Sequence, residues 1–250
     1  MSGHSRWSQI KRKKGKTDVQ RGKLFSKILR EITVAAKNGG GDPKGNLRLK
    51  AATESARAAN MPADNIKRAI QKGTGELDGG NLEEVLYEGY GAGGVAVLCE
   101  ILTDNRNHTA GEIRKIFELA DGKLGATGCV AWMFDRRGMI EVDAQKVKED
   151  DLLEKALDSG ATDVKQVEKV FEVTASPDEM ETVRQALERQ GMPVVEARVD
   201  MVPQSTVKVE GKEAAAVLRL IEALEEQDDV QSVYSNYDIA DEVIDAITAA

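Results

Sequence analysis

The sequence predicts an α+β protein: an N-terminal basic arm and three-helix domain, then two ferredoxin-like α/β domains, one inserted in the other. Apolar residues recur with helical spacing from about residue 17 to residue 75. Short apolar runs typical of strands then alternate with amphipathic helices. Within that part, residues 138–203 contain the complete order β-α-β-β-α-β, which is the ferredoxin-like motif.

The first sixteen residues, called here the basic arm, contain no acidic residue. They carry six Lys and Arg residues with Trp7 among them. They have few apolar groups to bury, so we expect a mobile arm. A mitochondrial transit peptide is also basic and acid-poor, but this arm leads into a patterned helix without a spacer. The apolar segment that a secretory signal requires is absent from it.

Three helices are expected after the arm. The first begins near Thr17, and Gly39–Gly41 ends it. Its apolar face carries Phe25, Ile28, Leu29, Ile32 and Ala36, and its opposite face carries Lys23, Lys27, Arg30 and Lys37. An alanine-rich second helix covers about residues 46–59, and Pro62 fits the first position of a third helix that ends at Gly73.

The next part opens with a predicted β-hairpin. Residues 85–87 and 95–98 are strand-like, and the glycine-rich segment Gly89–Gly94 joins them. A phosphate-binding loop would continue into a helix through Lys and Ser or Thr, whereas a strand follows here. We therefore interpret the glycines as a hairpin connection that needs positive φ.

A polar cluster, Thr103–Thr109, follows the second strand. Thr109 and Glu112 match a capping box and predict a helix that runs to about Leu119. Amides at the start of a helix favour anions. Asp and Asn also fix turns, and a capped loop is the favoured interpretation of this cluster. A short apolar run, residues 129–134, comes next.

The inserted unit is predicted element by element. A strand begins at Met139, and the helix after it ends at Gly160. Two strands follow over residues 163–176, and Pro177 opens the second helix. Residues 194–202 close the unit as its last strand.

The segment before the insertion lacks a second helix, which the segment after it supplies. An amphipathic helix runs from Glu213 to Gln227, and a strand runs from Val230 to Tyr237. The predicted domains are residues 1–80, a discontinuous domain of residues 81–135 and 205–250, and an inserted domain of residues 136–204.

Composition and motifs argue against several classes of function. Cys99 and Cys129 lie far apart and form neither a disulfide framework nor a thiolate metal site, which favours a reducing, cytoplasmic location. No run approaches the ~20 apolar residues of a membrane span. His4 and His108 are the only histidines, and catalytic, metal-binding and Walker motifs are absent from the sequence. We therefore expect no enzyme activity, no cofactor, no metal and no small-molecule substrate.

Charge is divided unevenly along the chain. Residues 1–75 carry 18 Lys and Arg against 5 Asp and Glu, a net charge of +13, and the remainder carries 17 against 38, a net charge of -21. This division predicts a polyanion-binding module on an acidic body. The arm lacks the apolar face that inserts into acidic membranes, so nucleic acid is the expected partner. The predicted binding residues are His4, Arg6, Trp7, Lys11, Arg12, Lys13, Lys14, Lys16, Arg21, Lys23, Lys27 and Arg30.

The residues leave DNA and RNA open as partners. A DNA regulator is expected to present a recognition helix, and the third helix, with Lys67, Arg68 and Lys72, is the nearest candidate. An arm with glycines and a single tryptophan suits an irregular RNA cavity at least as well. There Trp7 would stack on an unpaired base, and its alternative is to fold back on the helices.

Five segments resemble the YebC family and lie in the family's order along nearly the whole chain. They are Gly3–Trp7, Arg21–Lys27, Asn60–Pro62, Tyr87–Gly91 and Thr103–Asn107. The resemblance implies a three-domain cytosolic bacterial protein, with mitochondrial relatives and without catalytic activity. Members are commonly labelled probable transcriptional regulators that bind DNA. The alternative within the family is a translational activator, which fits a ribosomal-RNA-associated factor that relieves stalling at proline-rich stretches.

The chain departs from the family's pattern at a few positions. Leu47 and Ala92 stand where proline is common, which affects the local turns. His108 replaces a frequent arginine or lysine, which weakens an anion-binding role for the polar cluster. The run Lys11–Lys14 is more purely cationic than usual and contains no histidine.

Overall fold

The computed structural model describes residues 18–78, 80–167 and 169–249. These residues form two compact units: one of residues 132–206, and a larger one of residues 18–131 with 207–249. Helices and mainly antiparallel sheets build them, and the helical part comes first along the chain, so the α+β class is confirmed. The predicted domain boundaries, including the one at residue 80 inside the larger unit, stay predictions.

The first three helices pack around a core of their own. They are α1 (Asp18–Gly39), α2 (Leu47–Ala58) and α3 (Ala63–Gly73). The third begins one residue later than predicted, with Pro62 as its N-cap residue. The core contains Ile32, Ala35, Ala36, Leu49, Ala52, Ala56, Met61, Ile66 and Ala69, with Phe25, Ile28, Leu29 and Ile70 packed against it.

Asn46 fixes the junction between α1 and α2. Its Oδ1 accepts a hydrogen bond from the Leu49 N–H (3.0 Å), and its Nδ2 donates to the carbonyl oxygens of Ala35 (2.7 Å) and Gly40 (2.9 Å). A Cβ at Gly39 would lie 2.6 Å from that Nδ2, so glycine is needed at this close approach. One buried amide therefore satisfies the end of α1 and the start of α2.

A β-hairpin follows, as predicted. It pairs β1 (Glu83–Tyr90) with β2 (Ala96–Thr103) in antiparallel register. Gly93 and Gly94 in the connection have φ values of 68° and 79°, which confirms the expected positive φ.

The next helix, α4 (Arg106–Leu119), begins three residues before Thr109, so the predicted capping box is wrong. Asn105 is the N-cap residue, and its Oδ1 accepts the His108 N–H at 3.2 Å. Asparagine is among the best N-cap residues, and Asn105 lies closer to the end of β2 than Thr109 does. Thr109 therefore lies buried inside the helix. A short strand, β3 (Lys123–Leu124), follows and pairs with β1.

The smaller unit has the ferredoxin-like order that the sequence predicts. Its elements are β4 (Phe134–Asp143), α5 (Glu149–Asp158), β5 (Asp163–Val167), β6 (Val170–Ala175), α6 (Met180–Arg189) and β7 (Val194–Pro203). The strands form an antiparallel sheet in the order β5-β6-β4-β7. The first strand begins five residues before the predicted Met139, because Phe134 still pairs with Pro203.

The last elements return to the larger unit. They are β8 (Val207–Lys208), α7 (Gly211–Glu226), β9 (Val230–Ser235), β10 (Tyr237–Asp238) and α8 (Asp241–Ala249). The strand β9 pairs with β2 and completes a four-stranded sheet in the order β3-β1-β2-β9. Its core, which includes Cys99, Phe117, Leu220, Leu224 and Ile244, is separate from the core of α1–α3.

Glu88 on β1 is a buried carboxylate, 3% exposed. Its Oε1 accepts the Gly128 N–H (2.6 Å), and its Oε2 accepts the N–H groups of Val130 and Ala131 (both 2.8 Å). Burial raises the pKa of Glu88, but the three backbone donors outweigh it and hold the pKa below its usual value. The ionised side chain therefore fastens residues 128–131 to β1.

Glu88→Gln is expected to lower the free energy of unfolding by about 1–3 kcal/mol at pH 7, because an amide NH₂ group would face backbone donors. The folded-state pKa is depressed, so this stabilisation is complete above the unfolded-state pKa, near 4.5. It is lost as the pH falls through the folded-state value. Urea unfolding at several pH values should show the difference between the two proteins shrinking in acid. An equal loss in the exposed control Glu83→Gln, or a difference independent of pH, would contradict this.

Candidate nucleic-acid interface

The predicted binding residues fall into two groups. Eight belong to the basic arm and lie outside the described residues: His4, Arg6, Trp7, Lys11, Arg12, Lys13, Lys14 and Lys16. The other four, Arg21, Lys23, Lys27 and Arg30, lie on α1. Arg21 is exposed, and its guanidinium carbon lies 5.4 Å from the centroid of the Phe25 ring, a cation–π contact.

Three of the predicted cations on α1 contact the C-terminal end of α7. The Lys23 Nζ donates a hydrogen bond to the Glu226 carbonyl oxygen (3.0 Å), and the Lys27 Nζ donates to the Glu225 carbonyl oxygen (2.6 Å). Arg30 donates to the carbonyl oxygen of Asp228, just beyond the helix. The last carbonyls of a helix lack partners in their own helix and carry partial negative charge. The cations on α1 supply both the missing donors and the opposite charge.

Asp229 extends this contact to a third helix. Its Oδ1 lies 3.0 Å from the Arg30 guanidinium, and its Oδ2 accepts the Thr109 hydroxyl of α4 at 2.6 Å. The Asp229 carbonyl oxygen accepts the Leu102 N–H at 2.9 Å. We call Lys23, Lys27 and Arg30, with the carbonyls of Glu225, Glu226 and Asp228 and the carboxylate of Asp229, the α1–α7 clamp.

The polar cluster Thr103–Thr109 is tied into the fold by its own side chains. The Thr103 and Thr109 hydroxyl oxygens lie 2.8 Å apart, and the Asn105 N–H donates to the Thr103 Oγ1 at 2.9 Å. With Asn105 capping α4 and Thr109 bonded to Asp229, these contacts favour the interpretation as a capped loop.

A second polar contact lies at the other end of α1. The Lys37 Nζ donates to the Asn81 side chain and to the Leu82 carbonyl oxygen. On α2, Arg48 forms ion pairs with Glu31 of α1 and Glu84 of β1. These cations therefore hold the start of β1 against the helices, and the sequence predicted none of these pairings.

An open groove of about 350 Å³ lies along α2, and sequence analysis did not identify it. Its lining is Pro43, Lys44, Leu47, Lys50, Thr53, Glu54 and Arg57. Leu47, Lys50, Glu54 and Arg57 follow one stripe of the helix, which is the signal that was visible in the sequence. The Lys44 ammonium and the Arg57 guanidinium form no hydrogen bond or ion pair with any other residue that the structure describes.

Further cations are exposed on α3. Lys67, Arg68 and Lys72 lie on its solvent side, while Ile66 and Ala69 are buried in the helical core. Within the described ranges these three side chains also form no ion pairs. Lys44 and Arg57 at the groove, with Lys67, Arg68 and Lys72 on α3, thus present positive charge that no acidic side chain among the described residues neutralises.

Metal sites and membrane spans are both absent from residues 18–78, 80–167 and 169–249. No group of three or more His, Cys, Asp or Glu residues there is placed to hold a metal ion. No helix in those ranges has the length and apolar character needed to cross a membrane.

Comparison with known proteins identifies the family. A model of the TACO1/YebC protein N-terminal domain matches residues 5–76, and a model of the TACO1/YebC second and third domain matches residues 82–237. The two models cover most of the chain, so the chain belongs to the TACO1/YebC family, as the resemblance in its motifs indicates.

Relatives match over their whole length. A protein of Pelotomaculum thermopropionicum, named "Probable transcriptional regulatory protein", is 58% identical over 243 residues, which are 96% of this chain and 100% of the relative. A protein of Syntrophus aciditrophicus with the same name is 52% identical over 250 residues, all of both chains. The crystal structure of the conserved hypothetical protein Aq1575 from Aquifex aeolicus is 50% identical. It has a TM-score of 0.83 over 91% of this chain and 94% of that one.

The pair of Arg30 and Asp229 is expected to be coupled in stability. The two side chains are only 28% and 15% exposed, so solvent screens their attraction incompletely. A double-mutant cycle with Arg30→Gln and Asp229→Asn should give about 0.5–1 kcal/mol of coupling in urea unfolding, smaller at high salt. The control cycle is Lys208→Gln with Glu210→Gln, whose side chains are 74% and 70% exposed, and it should give almost none. Equal coupling in both cycles would be the contradicting result.

Proposed function

We propose that the protein is a non-enzymatic nucleic-acid-binding regulator of gene expression, with DNA as its partner in the first instance. The observation that carries the proposal is the division of charge, +13 over residues 1–75 and -21 over the rest. The relatives' name, "Probable transcriptional regulatory protein", supports the regulatory role. The lack of a catalytic motif in the sequence supports a binding function without catalysis.

The basic arm is the principal binding element of the proposal. Its six cations neutralise phosphates and release counterions, which gives binding that is strong and depends steeply on salt. Arg21 continues this charge onto the exposed side of α1. The acidic remainder of the chain repels nucleic acid, so binding takes place with the basic part facing the partner.

The described helices add a second positive surface to the arm. Lys44 and Arg57 at the groove along α2, and Lys67, Arg68 and Lys72 on α3, have no acidic partner among the described residues. Leu47 in the groove is 67% exposed and offers an apolar surface to a base or sugar. These residues on α2 and α3 supply contacts with nucleic acid in addition to those of the basic arm.

A second candidate is a ribosomal-RNA-associated translation factor that relieves stalling at proline-rich stretches. Trp7 favours it, because a tryptophan among cations suits an irregular RNA cavity in which an unpaired base can stack. On duplex DNA the cations alone are required, and Trp7 would contribute little. Both candidate functions use the basic arm for binding. They differ in how much Trp7 contributes to the binding affinity.

The arm is tested by reversing its charge at Lys11, Arg12, Lys13 and Lys14 to Glu. Binding of a DNA duplex or an RNA oligonucleotide should weaken strongly. The slope of log K against log salt should flatten by roughly 0.7–0.9 for each phosphate that the arm no longer neutralises. Fluorescence anisotropy over a series of salt concentrations measures both quantities.

The matched control applies the same change in charge to four exposed lysines of the smaller unit, Lys146, Lys148, Lys165 and Lys169. That variant should keep the salt slope of the unchanged chain. An equal weakening of binding by the two variants would mean that overall charge, and not the basic arm, determines binding.

A further inference from the structure

We propose that Lys23, Lys27 and Arg30 form a phosphate-binding site that the C-terminus of α7 occupies in this conformation, so that α7 and nucleic acid compete for the same three cations. This inference rests on the proposed function and deepens it. It assigns to the α1–α7 clamp a regulatory role, in which a segment of the acidic part of the chain limits the affinity of the basic part.

The three cations are spaced as a site for consecutive anionic groups. Residues 23, 27 and 30 lie on one face of α1 and span seven positions, or about 10 Å of helix. Lys23 and Lys27 already bind carbonyl oxygens of α7, at 3.0 and 2.6 Å. Arg30 binds Asp228 and Asp229 just beyond the helix, and its distance to the Asp229 carboxylate is 3.0 Å. Phosphate oxygens make the same kind of charge-assisted hydrogen bond.

Phosphate is a stronger ligand for these cations than most of what holds them now. Lys23 and Lys27 contact carbonyl oxygens, which carry only the partial charge of a helix end. Arg30 contacts one carbonyl and one full carboxylate, Asp229. A phosphate group brings a full negative charge and suits the fork of a guanidinium. Asp229 is therefore the group that most strongly holds the site closed.

The clamp is placed where it can open without unfolding either core. Leu224 near the end of α7 is buried in the α/β core, and Ile32 of α1 is buried in the separate helical core. The contacts of Lys23 and Arg30 with the carbonyl oxygens are exposed to solvent, so water and ions can replace them. Lys37 remains bonded to Asn81 and Leu82 at the other end of α1 and keeps that end attached.

If α7 and nucleic acid compete for these cations, removing the acidic group of Asp229 should strengthen the binding of nucleic acid. Removing an acidic group far from the clamp should not have this specific effect. Asp229→Asn keeps an oxygen that can accept the Thr109 hydroxyl while removing the charge that pairs with Arg30. The open state then becomes more populated, and the affinity for a polyanion rises accordingly. The size of the effect is that of one partly exposed ion pair, about twofold to fivefold in affinity at low salt.

The control is Glu118→Gln, which removes the same charge from an exposed position on α4. Glu118 lies nine residues, or roughly 13 Å of helix, from Thr109, which is the residue of α4 that contacts Asp229. Both variants have the same net charge. Any difference in their affinity therefore reports the clamp and not the overall field of the protein.

Affinities of the unchanged chain and the two variants are measured by anisotropy with a labelled single-stranded RNA oligonucleotide and a DNA duplex of equal length. Tighter binding by Asp229→Asn than by Glu118→Gln supports the competition. Equal affinities of the two variants, with binding retained, overturn the competition and leave the proposed function standing. No binding by any of the three proteins overturns the proposed function and this inference together.

A second measurement uses the unchanged chain and does not depend on how Asp229→Asn folds. Hydrogen exchange in the last turn of α7, residues 223–226, is compared with and without saturating oligonucleotide. Competition predicts faster exchange in the complex, because the carbonyls of that turn give up their cationic partners. Unchanged or slower exchange there, while the oligonucleotide is bound, would overturn the inference.

Discussion

The end of α7 presents carbonyl oxygens that its own helix cannot satisfy, and Lys23 and Lys27 on α1 donate hydrogen bonds to two of them. Arg30 donates to the carbonyl oxygen of Asp228, just beyond the helix. These partners are 198 to 203 residues apart in the sequence. Asp229 follows at once and joins α1 to α4 through Arg30 and Thr109. The helical core and the α/β core of the larger unit are separate clusters, and this polar junction links α1 to α7 directly.

The cations of the helical part therefore have two different uses. Lys23, Lys27 and Arg30 bind the protein's own carbonyl and carboxylate oxygens, as Arg48 does through Glu31 and Glu84. Lys44 and Arg57 at the groove along α2, and Lys67, Arg68 and Lys72 on α3, have no such partners among the described residues. A net charge counts both kinds equally, but only the second kind is open to an external polyanion without a change of conformation. The structure therefore separates cations that are paired within the protein from cations that are not, which the net charge of the sequence cannot do.

Much of the fold could be predicted because its signals are local. Helical spacing defined α1–α3, and the order of the elements defined the ferredoxin-like unit. The start of α4 was mispredicted because Asn105 and Thr109 are both good N-cap residues and only packing chooses between them. The partners of Lys23, Lys27 and Arg30 were beyond prediction, since contacts over nearly two hundred residues leave no periodic pattern. The short helix α8 was missed altogether.

The proposed function requires the basic N-terminal part, and not the acidic body, to contact nucleic acid. Crosslinking in growing cells tests it most directly, with sequencing of the bound DNA and RNA and mass spectrometry of the attached peptides. The crosslinked peptides should come from the basic arm, from the groove along α2 and from α3. Promoter DNA would favour the transcriptional role, and ribosomal RNA that is lost with Trp7→Ala would favour the translational one. Crosslinks confined to the smaller unit, residues 132–206, would contradict binding by the basic N-terminal part.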